Sequence, residues 1–218
     1  MTMDWFQSID FYCERVGAHF WAEPVNALSN IGFIAASFYG FYRWWGFRRK
    51  WLLSFACLSF VVGCGSFLFH TFANRWSHLA DIIPIAFFMV SFLFFTQKEI
   101  LKFSKSKTVL LTGLFLVVTV LAEMYQPRHI LNGSLGYLPA FLTLLGLTYL
   151  LVKKKNILNV HFQLSTLLFA GSLFFRTLDN ELCDLIPLGT HWLWHLLNSA
   201  LLANLMVITY THQKLEDM

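Results

Sequence analysis

Seven apolar runs, each of roughly twenty residues, decide what this chain can become, because about 20 helical residues cross the 30 Å hydrocarbon core of a bilayer. They read as Leu28 to Trp45, Trp51 to Phe72, Leu79 to Thr96, Thr108 to Met124, Leu135 to Val152, Phe162 to Leu178 and His191 to Tyr210. The runs are continuous, whereas the strands of a membrane barrel alternate over about ten residues. With 57% hydrophobic and 13% charged residues, the chain has too little polar surface to cover a water-soluble globule. The expectation is an all-α integral membrane protein of one domain, 1–218. An interfacial segment over 1–27 leads into a seven-transmembrane-helix bundle over 28–210, and 211–218 form a cytoplasmic tail.

The basic residues set the orientation. Arg43, Arg48, Arg49 and Lys50 follow the first run; Lys98, Lys102, Lys105 and Lys107 the third; Lys153, Lys154 and Lys155 the fifth; Lys214 the seventh. These are twelve of the 16 Lys and Arg, leaving Arg15, Arg75, Arg128 and Arg176 for the opposite side. Such a bias marks cytoplasmic loops, so the amino terminus is expected outside and the carboxyl terminus inside. The net charge of +4 is therefore a topology signal facing anionic headgroups. Without aromatic interleaving it does not describe a nucleic-acid surface. The first 20 residues lack a basic region followed by an apolar core, so no cleavable signal peptide is expected. Residues 1–27 are acidic (Asp4, Asp10, Glu14, Glu23) and aromatic (Trp5, Phe6, Phe11, Tyr12, Phe20, Trp21), as suits a strip at the interface that caps the outer mouth of the bundle. Pro24 suits the first turn of the helix that follows.

On that outer side lie the residues with chemistry to offer. His191 and His195, in HWLWH, project from one face of a helix one turn apart. The pair alone fits an ordinary helix end at a membrane interface equally well. A third imidazole, His70, ends the second run on the same side, and three neutral imidazoles with an open fourth position form a catalytic zinc arrangement. His161 and His212 fall on the inner side, and His19, His78 and His129 lack a partner at four-residue spacing; all five read as non-ligands. Ser66 precedes His70 by one turn in GSFLFH; a serine in a span otherwise bonds a backbone carbonyl of the preceding turn. Glu23, Asp81 and Glu123 lie at or within apolar runs, where a carboxylate needs a partner or a task.

This set supports metal-assisted hydrolysis. Zinc lowers the pKa of a bound water to about 7, Asp81 accepts its proton, and Ser66 donates to the developing oxyanion. The depth of the site, just under the headgroups, favours a membrane lipid with an amide or ester carbonyl over a soluble metabolite. A seven-span receptor or transporter with a structural metal is the competing class. No lysine lies within a run to form a Schiff base, and neither broken helices nor paired repeats stand out. Cys57 and Cys64 fall inside the second run and read as small apolar packing residues. Cys13 and Cys183 share the outer side; they pair in an oxidising compartment only if geometry lets the thiols meet.

DFYCE (Asp10 to Glu14), AEPVNALSN (Ala22 to Asn30), GSFLFH (Gly65 to His70) with Asp81 eleven residues on, and HWLWH (His191 to His195) resemble the alkaline ceramidases. These belong to the seven-span hydrolase superfamily that also contains the adiponectin receptors. The resemblance implies hydrolysis of the ceramide amide to sphingosine and a fatty acid, with zinc on His70, His191 and His195 and with Ser66 and Asp81 as the catalytic serine and aspartate. It pairs Cys13 with Cys183 in a disulfide. It also implies a calcium site, for which Asp10, Glu14 and Glu23 are the matching positions. There the match is imperfect: an extra residue separates Asp10 from Cys13, and Val16 stands where an asparagine ligand is expected. Losing one oxygen weakens a hard-cation site.

Overall fold

The computed structural model describes residues 4–127 and 130–218; Arg128 and His129 lie outside the described residues. Its helices are α1 (Pro24–Ser29), α2 (Ile31–Phe47), α3 (Lys50–Phe72), α4 (Arg75–Phe95), α5 (Lys105–Tyr125), α6 (Leu138–Lys153), α7 (Asn159–Leu178) and α8 (His191–Glu216). Each apolar run falls on one of the seven long helices α2 to α8. Five of these, α3, α4, α5, α6 and α8, are long and apolar enough to cross a membrane when the turns adjoining α4 and α6 are included. Of the other two, α2 has 17 residues, and α7 is diluted by His161, Gln163, Ser165, Thr166, Ser172 and Arg176. Among the described residues the only β pairing is an isolated bridge between Ser8 and Asn74.

The helix ends differ from the apolar pattern where polar groups do the capping. Ala73 takes a left-handed turn (φ 41°) that ends α3. Asn74 then accepts from the Ser77 N–H at 3.1 Å while the Ser77 hydroxyl accepts from the Asn74 N–H. This reciprocal cap starts α4 at Arg75, ahead of Leu79, because hydropathy reads a polar first turn as loop. Pro24 begins α1, as expected. Residues 211–216, expected in a tail, continue α8 to Glu216.

The seven long helices close a ring in chain order, α8 returning to α2, and α3 meets α8 inside it. Phe55, Phe95, Leu151, Phe162 and Met206 fill the half away from the histidines. A Cβ at Gly65 would collide with the Ala80 carbonyl oxygen, so α3 and α4 touch backbone to backbone there. By contrast α5 buries only Thr108, Thr112 and Phe115, and Leu110 and Met124 are 70% and 69% exposed. An apolar surface of this extent does not face water. Cys57 is likewise exposed, not packed.

The lysines and arginines of the α2–α3, α4–α5 and α6–α7 connections sit at one end of the ring, and the histidines at the other. The amino-terminal segment lies across the histidine end. Its Ile9 N–H donates to the Ala73 carbonyl at 2.7 Å, and Cys13 forms a disulfide with Cys183, Cα to Cα 5.4 Å.

Candidate metal centre

His70 stands in the last turn of α3, and His191 and His195 in the first two turns of α8. Their rings pack with centroids 5.1, 4.7 and 4.6 Å apart. One nitrogen from each lies within 4.8 Å of the others, and all three residues are buried. Among the described residues no other group of His, Cys, Asp or Glu converges in this way.

Hydrogen bonds on the far side of two rings fix which nitrogen faces inward. His70 Nδ1 pairs with Glu23 Oε2 at 2.5 Å, and His195 Nδ1 pairs with the Ser29 hydroxyl at 2.6 Å. His70 Nε2 and His191 Nδ1 are buried with no hydrogen-bond partner. Orphaned buried acceptors are costly, and imidazoles oriented by a carboxylate or hydroxyl behind them are a hallmark of metal ligation. The donor set, all nitrogen with one side open, suits zinc. These residues therefore fit the ion the sequence implies.

A second layer locks the rings. Arg15 forms an ion pair with Glu23 and donates to the His70 carbonyl at 3.0 Å. Burial alone would raise the Glu23 carboxyl; the bond and charge of His70 and the Arg15 guanidinium outweigh it and hold the group below the usual carboxylate range. His191 is sandwiched between Tyr12, stacked at 3.7 Å, and Trp194 at 5.2 Å. Burial pushes the Tyr12 hydroxyl up to about 12, so it stays neutral and accepts from Arg176 Nη1 at 2.9 Å. Asp179 accepts from the N–H groups of Cys13, Thr190 and His191 at 3.0, 2.7 and 2.9 Å, joining the amino-terminal segment to the start of α8.

Ser66 and Asp81 come to the same place from α3 and α4. Ser66 Oγ lies 3.5 Å from His195 Nε2, and Asp81 is buried, its Oδ1 without a partner. Near the cluster lies an apolar pocket whose lining holds none of Ser66, His70, Asp81, His191 and His195 but includes Trp194, which stacks on His191. It starts at Phe33, Tyr137 and Trp194 and follows α8 past Asn198 to Leu205.

The structure thus gathers Ser66, His70, Asp81, His191 and His195, and gives the three candidate calcium ligands separate surroundings. Asp10 is exposed, Glu14 binds the backbone of Val25 and Asn26, and Glu23 supports His70. Glu123 stands at the end of α5 and accepts from Gln126. Sequence reasoning missed Arg15, Ser29, Asp179 and the aromatic clamp of Tyr12 and Trp194. The one usable signal was a carboxylate, Glu23, at the edge of an apolar run.

A family model described as Ceramidase matches residues 7–217 of the chain. Comparison with curated proteins finds no match.

Proposed function

Since the chain belongs to the ceramidase family, we propose that it is a zinc-dependent intramembrane hydrolase that cleaves the amide of ceramide to sphingosine and a fatty acid. The observation that carries this reading is the buried triplet His70, His191 and His195, whose ring nitrogens converge, two of them without a hydrogen-bond partner, near an apolar pocket. In this reading α2 to α8 all span the bilayer. The basic end is cytoplasmic, and the histidine end lies under the opposite surface, at the depth of lipid amide carbonyls.

The three histidines would hold the zinc, and Glu23 and Ser29 keep their rings turned to it. When bound, the ion supplies Lewis acidity that lets a water ionise near neutral pH. Asp81, with a free Oδ1, takes the water's proton and passes it to the leaving amine. Ser66 donates a hydrogen bond to the amide oxygen as negative charge builds there. The apolar pocket along α8 would take hydrocarbon chain out of water.

The test is elemental analysis and a fluorescent ceramide assay on purified protein. One zinc per chain is expected, with hydrolysis lost in His70→Ala, His195→Ala and Asp81→Ala. Zinc or activity that survives removal of all three histidines overturns the reading. A panel of other N-acyl and ester lipids on the same preparation fixes the substrate class.

A further inference from the structure

Calcium, which the resemblance implies for Asp10, Glu14 and Glu23, does not fit the geometry of these residues. It takes six to eight oxygens at about 2.3–2.6 Å. Both Glu14 oxygens are engaged by backbone N–H groups, of Val25 and Asn26, each at 2.7 Å. Glu23 Oε1 is engaged by Arg15, and its Oε2 by His70 Nδ1 and by Asn26 Nδ2 at 3.2 Å. Asp10 is exposed, and Val16 is 77% exposed and has no side-chain oxygen.

A cation is nevertheless present among these groups, and it is covalently attached. The Arg15 side chain is 2% exposed. Its Nε meets the Glu23 carboxylate, its Nη2 donates to the His70 carbonyl at 3.0 Å, and its Nη1 donates to the Gly17 carbonyl at 3.3 Å. One carboxylate and two backbone carbonyls around a buried positive charge are oxygens of the kind a hard divalent ion gathers. The planar guanidinium, with five donors in a fixed fork, reaches all three at once, whereas an ammonium offers only a compact point charge.

We propose that Arg15 is a built-in substitute for calcium. Its guanidinium ties the amino-terminal segment to the end of α3 and aims Glu23 at His70, so that the protein needs no calcium to assemble its centre. Arg15 is then a positioning residue that acts on His70 through Glu23. That part rests on the zinc reading above; calcium independence does not.

Zinc-loaded wild-type protein is titrated with Ca²⁺ up to about 10 mM, beyond the weakest dedicated sites, and followed by calorimetry and by melting temperature. Neither should respond. Arg15→Gln should melt lower and lose zinc to a chelator about 10- to 100-fold faster, the usual range for an outer-shell partner. Arg15→Lys should recover part of the loss. Saturable calcium heat in the wild type overturns the proposal, as does an Arg15→Gln protein that melts and holds zinc like the wild type. If Arg15→Gln does not accumulate, Arg15→Lys reports the same release rate, and the calcium titration needs no variant. Wild-type protein that binds no zinc counts against the proposed function, and a flat calcium titration still supports calcium independence.

Discussion

At Ser66 two uses of a serine in an apolar helix compete. The neighbouring Thr71 and Ser199 hydroxyls follow the ordinary one, donating to carbonyls one turn back, Phe67 at 2.9 Å and His195 at 2.7 Å. Ser66 instead turns to His195 Nε2 at 3.5 Å, which leaves its hydroxyl available for chemistry. Ser66→Ala should therefore keep its zinc and its KM while kcat falls about 10²- to 10³-fold, the effect of removing one oxyanion donor. Steady-state kinetics on ceramide beside elemental analysis check this, and a change in KM alone would assign Ser66 to ground-state binding. The residue types were legible: three imidazoles, a serine and a carboxylate at helix ends stand out against an apolar background. Their supports were not, because Ser29, Tyr12 and Asp179 carry no pattern until the chain brings them beside a histidine, for Ser29 and Tyr12 one far away in sequence.

Helices were legible wherever burial and lipid exposure both demand apolar side chains, which is why all seven runs fall on helices. Their ends followed local polar chemistry, as the Asn74–Ser77 cap shows at α4. The same junction makes a prediction about packing. Ser66 and Asp81 meet because Gly65 lets α3 approach the Ala80 carbonyl, and a methyl group there must push α4 away. Gly65→Ala should cost about 1–3 kcal/mol of stability and most of the activity. Gly113→Ala on α5, with nothing within 4 Å of the added methyl, should be neutral or stabilising by up to about 1 kcal/mol. Thermal melts in detergent distinguish the two.

For the whole molecule, the disulfide and the charge bias make one joint statement. Cys13 and Cys183 are bonded at the histidine end, whereas the basic connections crowd the other. Disulfides persist in oxidising compartments and cytoplasmic loops are basic, so both signals support the proposed orientation, with the histidine end outside the cytoplasm. In intact cells Cys13 and Cys183 should resist alkylation until a reductant is added; prompt labelling of both would invert the orientation. The sequence by itself determined the class of fold, the polarity of the bundle and the identity of the three imidazoles. These follow from hydrophobicity, charge and four-residue spacing, which are properties of neighbours along the chain. Only the tertiary structure decided that Glu23 meets both His70 and Arg15, and that Asp179 and the disulfide hold the amino-terminal segment over the site. Those contacts join residues far apart in sequence, and their energy exists only once the ring of helices has closed.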